Sequence, residues 1–134
     1  MSFFERPPVT LYLLRHGQSE ANVDTNVYRH KPDHAIALTA LGMQQAREAG
    51  TFLQRLFAEQ PNEAPAIILR SPYSRARETE AQVASVIHSH VVDRVELPEL
   101  AEQQHGLFDG IPPDELAVTF PNEYKRYLLA QEVN

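Results

Sequence analysis

Cysteine and tryptophan are both absent from this 134-residue sequence. Without cysteine the chain has no disulfide, no thiolate nucleophile and no zinc site built on cysteine, and the composition fits a reducing compartment such as the cytoplasm. Basic residues are also scarce, because 12 lysines and arginines face 18 aspartates and glutamates and give a formal net charge of −6. A nucleic-acid binder needs lysine and arginine to neutralise phosphates, so nucleic acid is not an expected partner.

Long apolar runs are missing as well. The longest are short stretches such as Leu11–Leu14 and Ala66–Leu69, whereas a membrane span needs about 18 consecutive apolar residues. The first residues, MSFFERPPV, lack the basic head and apolar stretch of a signal peptide. Together with the length, these absences predict a soluble cytoplasmic protein in which residues 1–134 form one domain, with no membrane partner.

Two kinds of apolar pattern alternate along the chain. Short, nearly continuous apolar runs predict buried strands, and stripes at i, i+3 and i+4 predict amphipathic helices. The predicted elements, in chain order, are a strand at Val9–Leu14, a helix at Leu41–Gln60 with Thr39 as N-cap, a strand at Ala66–Arg70, a helix at Pro72–His88 with Ser71 as N-cap, a strand at Val91–Leu97, and short helices at Pro113–Thr119 and Asn122–Gln131.

This alternation of strands and helices is typical of an α/β fold with a mainly parallel sheet. Such sheets bind ligands in the crevice outside the carboxyl ends of their strands. The rule selects three segments, Arg15–Asn22, Arg70–Arg77 and Leu100–Gly110, which should lie at one edge of the sheet. They hold most of the residues with recognisable chemistry.

The first segment places Arg15, His16 and Gly17 directly after the first predicted strand. Imidazole has an ordinary pKa of about 6.5 and is a neutral nucleophile near it. The planar guanidinium of arginine matches the oxygens of a phosphate, and Gly17 lets the backbone turn. The pattern favours a site that binds and attacks an anionic group, although an arginine and a histidine at a strand end also occur as a purely structural pair.

The other two segments each offer one candidate. Arg75 lies in the first turn of a predicted helix, where the helix N-terminus favours an anion and where a cation needs an anion or an acid to compensate it. Its place at a strand end favours a ligand role, whereas Arg77 is expected in solvent. Glu102 is a candidate general acid if burial or a neighbouring anion raises its pKa; an exposed loop glutamate is the alternative.

A metal site is not expected. His30 and His34 have the i, i+4 spacing of a zinc pair on a helix. Pro32 lies between them, however, and disfavours a continuous helix there. This stretch is expected instead to border the opening of the site.

Four motifs resemble the histidine phosphatase superfamily, which also contains the cofactor-dependent phosphoglycerate mutases. They are LYLLRHGQSEAN, LTALGMQQA, SPYSRARET and LAEQQHG, in the order of the family. The resemblance implies a three-layer α/β sandwich with a mainly parallel central sheet. It further implies that His16 becomes phosphorylated, that Arg15, Asn22 and Arg75 hold the phosphoryl group, that Glu102 donates a proton, and that neither metal nor cofactor is needed.

The expected activity is hydrolysis of a phosphoric monoester in two steps. The phosphate of a small substrate docks between Arg15, Arg75 and the N–H groups near Gly17. His16 then attacks in line while Glu102 protonates the leaving oxygen, and water later hydrolyses the phosphohistidine. Phosphoryl transfer depends mostly on positioning and charge stabilisation, so the arginines should matter nearly as much as the nucleophile.

Two alternatives stay open at this stage. The mutase branch usually carries a tryptophan- and arginine-rich stretch after the nucleophile, and the corresponding stretch here, ANVDTNVYRHKPDHAIALT, has no tryptophan. This favours a phosphatase over a phosphoglycerate mutase-type phosphotransferase. A non-catalytic phosphate-binding module is the second alternative. The oligomeric state is open, a homodimer included.

The sequence departs from the family in one respect. Members carry a second catalytic histidine after a later strand, followed by glycine. The only other His-Gly pair here is His105-Gly106, which polar residues precede and which falls inside the fourth motif. We therefore expect the fold to be incomplete at the C-terminus, and the chain by itself to be inactive or nearly so.

Overall fold

The computed structural model of the protein describes residues 9–59, 65–103, 108 and 111–131. Helices and strands alternate in the middle of this part and helices follow at its end. The elements are α1 (Glu20–Val23), α2 (Ala40–Ala58), β1 (Ala66–Arg70), α3 (Ser74–Ile87), β2 (Val91–Glu96), α4 (Pro113–Thr119) and α5 (Pro121–Gln131). Short 3-10 turns occupy Thr25–Arg29, Asp33–Ala35 and Pro98–Leu100. His105 lies outside the described residues.

The two strands form a parallel pair. Ala66 lies opposite Val91 and Arg70 opposite Glu96, with one irregularity of register after Ala66. Helix α3 connects the strands, so their carboxyl ends meet at one edge. The predicted α/β class and parallel sheet are confirmed.

The core lies largely between α2 and α3. Ala46 of α2 and Val83, Ala84 and Ile87 of α3 are buried, as the helical spacing of apolar residues predicts. Helix α2 begins where the sequence predicts it, because the hydroxyl of Thr39 accepts a hydrogen bond from the N–H of Gly42 at 3.1 Å. This cap supplies one of the hydrogen bonds that the first turn of a helix lacks.

Helix α3 begins later than predicted. Ser71 is not its N-cap; Tyr73 holds that place in an extended conformation, with no side-chain cap bond, and Ser74 is the first helical residue. The ring of Tyr73 is buried, and the guanidinium of Arg75 lies 4.9 Å from its centre. Burial of this ring against Arg75 outweighs the weaker preference of serine for the cap position.

The predicted strand at Val9–Leu14 is wrong. Residues 9–14 carry no strand pairing, and Val9 and Leu13 are 92% and 89% exposed. Tyr12 contacts the ring of Phe57 with centroids 5.7 Å apart, which lays the segment along α2. An apolar run becomes a strand only beside a partner that completes its backbone hydrogen bonds, and no strand in the described ranges pairs with it.

The last two helices follow the sequence pattern closely. Helix α4 has the predicted bounds, and α5 begins one residue earlier than predicted. The ring of Phe108 packs against those of Phe120 and Tyr127. An ion pair between Arg29 and Glu115, 2.6 Å long, connects α4 to the turn after α1. Within the described ranges, each helix is too short or too polar to cross a membrane.

Candidate active site

The loop that carries His16 lies directly against the start of α2. A methyl group added to Gly17 would be 2.2 Å from the carbonyl oxygen of Gly42, and one added to Gly42 would be 2.1 Å from that of Gln18. The two backbones therefore touch, and only glycine permits this approach at both positions. The contact fixes the loop relative to α2.

Three consecutive main-chain N–H groups after His16 donate to side chains. Gly17 donates to Thr79 Oγ1 (3.1 Å), Gln18 to Gln45 Oε1 (2.8 Å) and Ser19 to Asn22 Oδ1 (2.9 Å). The expectation that N–H groups near Gly17 bind a phosphate does not fit this arrangement. These three N–H groups hold the loop in place instead, so an anion here is bound by other donors, the side chains of the cavity among them.

The hydrogen bonding of His16 assigns the roles of its two ring nitrogens. Nδ1 lies 2.7 Å from the carbonyl oxygen of Gly17. Because a carbonyl oxygen only accepts, Nδ1 carries a proton, and in the neutral ring Nε2 then holds the lone pair. The imidazole is half-buried, and Nε2 is its nucleophilic atom.

Three of the predicted site residues share one cavity. Arg15, His16 and Asn22 line a space of about 320 Å³ together with Gln18 and Gln45. A smaller pocket of about 120 Å³ is also lined by Arg15, His16 and Gln45 and reaches Gly17 and Thr79. The cavity thus combines one guanidinium, the imidazole and three carboxamides, and none of the described residues that line it is a carboxylate.

Two further predicted residues, Arg75 and Glu102, form a separate group. Arg75 is buried, and its Nη1 donates to the main-chain oxygen (2.9 Å) and to Oδ1 (2.8 Å) of Asp33. Its Nη2 lies 3.7 Å from Oε2 of Glu102, whose side chain is 61% exposed. Neither Arg75 nor Glu102 lines the His16 cavity. One guanidinium between two carboxylates leaves this group with an excess of negative charge.

Thr79 links the two groups. Its hydroxyl accepts the hydrogen bond from the Gly17 N–H and donates to the main-chain oxygen of Arg75 at 2.7 Å. The side chain is buried, so the link is shielded from water. The first turn of α3 and the His16 loop are therefore held at a fixed separation.

Comparison with known proteins now identifies the family. The model of the histidine phosphatase superfamily (branch 1) matches residues 11–133. The chain belongs to the histidine phosphatase superfamily. The four motifs quoted above predict this family, and the prediction is confirmed.

Named relatives of this histidine phosphatase superfamily member support the assignment. The chain is 38% identical over 104 residues to the phosphoglycerate mutase-like protein AT74 of Arabidopsis thaliana, over 75% of this chain and 33% of the relative. It is 36% identical over 104 residues to mannitol-1-phosphatase of Eimeria tenella, over 77% and 33%. The chain thus spans about a third of the length of these curated relatives.

A solved structure shares the fold. It is assigned as an alpha-ribazole-5'-P phosphatase of Escherichia coli and superposes with a TM-score of 0.63 at 25% identity. The match covers 86% of this chain and 52% of that one. The α/β architecture of the described residues is therefore that of the histidine phosphatases.

Sequence reasoning missed several residues that shape this site in the histidine phosphatase chain. Gln45 and Thr79 lie inside the recognised motifs but carry no charge, and nothing in a carboxamide or hydroxyl alone indicates its partner. The sequence did indicate a partner such as Asp33, because a cation in the first turn of a helix, here Arg75, needs an anion nearby. Asp33 supplies it from 42 residues away, a distance that sequence spacing does not reveal.

Tyr28 is a further neighbour of the Arg75 group. Burial raises the pKa of its phenol above the ordinary value, and the nearby carboxylates of Asp33 and Glu102 add to this, while Arg75 opposes it. The phenol is therefore protonated at neutral pH. Across residues 9–59, 65–103, 108 and 111–131, no three histidine or acidic side chains are grouped to hold a metal ion.

Proposed function

We propose that this chain carries the phosphoryl-accepting site of a phosphoric monoester hydrolase, with Nε2 of His16 as the nucleophile. The observation that carries the proposal is the hydrogen bond from His16 Nδ1 to the Gly17 carbonyl. It selects the tautomer of the neutral ring in which Nε2 holds the lone pair, on an imidazole that shares a cavity with Arg15 and Asn22. Membership of the superfamily and the phosphatase names of relatives support the same reading.

The first step forms one bond and breaks another. Nε2 of His16 attacks the phosphorus, the bond from phosphorus to the ester oxygen breaks, and the leaving oxygen takes a proton from Glu102. Glu102 enters this step as the carboxylic acid, a form that the adjacent phosphate anion favours. Arg15 balances the negative charge of the phosphoryl oxygens. Asn22 contributes amide N–H groups, because its Oδ1 already accepts from the N–H and the hydroxyl of Ser19.

In the second step, water attacks the phosphohistidine. A phosphorus–oxygen bond forms, the phosphorus–nitrogen bond breaks, and Glu102 takes the proton from the water. Arg75 is assigned to the phosphoryl group through Nη2, because Nη1 is already bound to Asp33. A small phosphorylated molecule is the proposed substrate, and the cysteine-free composition favours the cytoplasm as its location.

A phosphotransferase is the second candidate, because one relative is named a phosphoglycerate mutase-like protein. It would use the same His16 intermediate but return the phosphoryl group to another hydroxyl. Release of free phosphate distinguishes the hydrolase. Isomerisation of the product, with rescue by a bisphosphorylated sugar acid, would distinguish the mutase.

Labelling with a small phosphoryl donor tests the nucleophile. We expect the chain to gain acid-labile, base-stable phosphate from phosphoramidate, and His16→Ala to abolish this labelling. His88→Ala is the matched control, since His88 also places Nδ1 near a main-chain oxygen, at 3.2 Å, but is exposed at the end of α3. Acid-labile phosphate that persists in His16→Ala would remove His16 from its role.

Turnover by residues 1–134 is a separate measurement. We expect hydrolysis of p-nitrophenyl phosphate to be close to background, because the second catalytic histidine of the family has no counterpart among the recognised motifs. Robust turnover that depends on His16 would refute this expectation while supporting the nucleophile. Turnover that is unchanged in His16→Ala would contradict the proposed function.

A further inference from the structure

Gln45 is a polar residue of the His16 cavity to which the proposed mechanism gives no role. Its Oε1 accepts a hydrogen bond from the N–H of Gln18 at 2.8 Å. Because a main-chain N–H only donates, the atom that faces it must be the oxygen of the carboxamide. The amide nitrogen Nε2, with two N–H groups, is then on the other branch of the side chain.

Asn22 repeats this arrangement within the same cavity. Its Oδ1 accepts from the N–H of Ser19 at 2.9 Å and from the Ser19 hydroxyl at 3.0 Å. Within the part of the chain that the structure describes, the Nε2 of Gln45 and the Nδ2 of Asn22 make no hydrogen bond. Both side chains line the cavity beside Arg15 and His16. Two carboxamides therefore bring N–H donors to the space next to the nucleophile, while their oxygens already accept hydrogen bonds from the loop.

We propose that Gln45 is a phosphoryl-binding residue, whose Nε2 donates to an oxygen of the group that His16 attacks. The inference rests on the proposed function of this site. A neutral donor stabilises the phosphoryl oxygens without adding a positive charge beside the imidazole. A positive charge there would lower the basicity of the nucleophilic nitrogen of His16. Arg15 supplies the charge, and Gln45 and Asn22 supply directed N–H groups.

Gln45 also connects binding to the position of the loop. The carboxamide bonds the loop through Oε1, and the phosphoryl group would bond its Nε2. A phosphate seated in the cavity is thereby tied to the backbone of Gln18, two residues after the nucleophile. The side chain of Gln45 is exposed, so a ligand reaches it without any rearrangement of the core.

A glutamate at this position separates the binding role from a structural one. A carboxylate accepts the Gln18 N–H at least as well as a carboxamide does, so a purely structural Gln45 tolerates Gln45→Glu. A phosphoryl-binding Gln45 does not, because the change removes both donors and places a negative charge in the cavity. Gln44→Glu is the matched control, since Gln44 lies on the exposed face of α2 and donates only to Glu48.

The test is a titration of the chain with inorganic phosphate, monitored by isothermal titration calorimetry. Thermal unfolding is measured in parallel. We expect Gln45→Glu to lower phosphate affinity at least tenfold at neutral pH with little change in melting temperature, and Gln44→Glu to stay within about twofold of the unsubstituted chain. The deficit of Gln45→Glu should shrink as the pH falls through about 4 to 5, where a carboxyl takes up a proton and becomes a donor again.

A second measurement uses the unsubstituted chain alone. The side-chain amide resonances of Gln45 and Asn22 should shift on addition of phosphate in ¹⁵N-correlated NMR spectra, and that of Gln44 should not. Unchanged phosphate affinity in Gln45→Glu, or a silent Gln45 resonance in a chain that binds phosphate, would overturn this inference and leave the proposed function standing. Failure of the unsubstituted chain to bind phosphate, or equal binding by Arg15→Gln, would reject the cavity as an anion site and the proposed function with it.

Discussion

The His16 loop and the first half of α3 meet at Thr79 but are held in place by different interactions. Around His16, neutral side-chain oxygens accept the N–H groups of Gly17, Gln18 and Ser19. Around α3, ion pairs dominate. The difference matters because an anionic ligand competes with carboxylates for cations but does not compete for carboxamide donors.

On the α3 side, arginines are already paired with carboxylates within the protein. Glu80 is buried and binds Arg70 at 2.7 Å and Arg94 at 2.6 Å. Glu96 holds Arg77 in a bidentate pair with distances of 2.6 and 2.7 Å. These pairs stabilise the end of the sheet against α3 and leave little positive charge for substrate. We infer that the ion pairs of Glu80 and Glu96 carry stability, and that ligand binding falls to the His16 loop together with Arg75 in the first turn of α3.

The largest effect is expected from Glu80→Gln. The substitution leaves the partly exposed Arg70 and Arg94 facing a neutral group, and loss of these charge-assisted hydrogen bonds costs about 2–3 kcal/mol in the free energy of unfolding. Urea unfolding measures this, with Glu48→Gln on the exposed face of α2 as the control. Equal stability of Glu80→Gln and the unsubstituted chain would show that the ion pairs contribute nothing net.

The ion pairs of Glu80 also predict that the stability of the fold depends on pH. Burial alone raises the pKa of Glu80, but hydrogen bonds from Arg94 and Arg70 outweigh it and hold the pKa below its ordinary value of 4.5. Since the folded pKa is the lower one, this stabilisation is complete above about pH 4.5 and is lost as the pH falls through the folded pKa. The stability difference between the unsubstituted chain and Glu80→Gln should therefore narrow in acid; a constant gap would contradict the assignment.

Thr79→Val is expected to have an intermediate effect. It keeps the shape of the side chain but leaves the Gly17 N–H without its acceptor, at a cost of about 1–2 kcal/mol in stability. The control is Thr51→Val, because the Thr51 hydroxyl donates to the main-chain oxygen of Arg47 one turn earlier and has no loop to hold. Since Thr79 fixes the His16 loop, phosphate affinity should fall as well. If Thr79→Val and Thr51→Val lost equal amounts of stability and of phosphate affinity, Thr79 would have no linking role.

The smallest effect is expected from Asp33→Asn. Asparagine still accepts from Arg75 Nη1 but no longer repels an anion, so phosphate affinity should rise about fivefold, or roughly 1 kcal/mol. Asp93→Asn is the control, because Asp93 is exposed and its carboxylate bonds the main-chain N–H of the neighbouring Arg94. Unchanged or weaker binding in Asp33→Asn would show that Arg75 lies outside the field of the bound phosphate.

Local patterns predicted the helices and the paired strands well. Strand β1 and helix α4 have their predicted bounds, because apolar periodicity and proline placement act within a few residues. The strand predicted over residues 9–14 depended on a partner elsewhere in the chain, and pairing is not a local property. In the site, charge and motif singled out Arg15, His16 and Arg75. They could not reveal which N–H groups were already engaged, since that depends on side chains brought in by α2 and α3.

The contact between Gly17 and Gly42 sets a practical limit on how this site tolerates change. No side chain stands between the two backbones, so no rotamer is available to absorb a shift of either one. A displacement of the first turn of α2 would therefore move the imidazole by a similar amount. Variant libraries aimed at a different phosphoester should keep positions 17 and 42 invariant and vary Gln18, whose side chain lines the cavity.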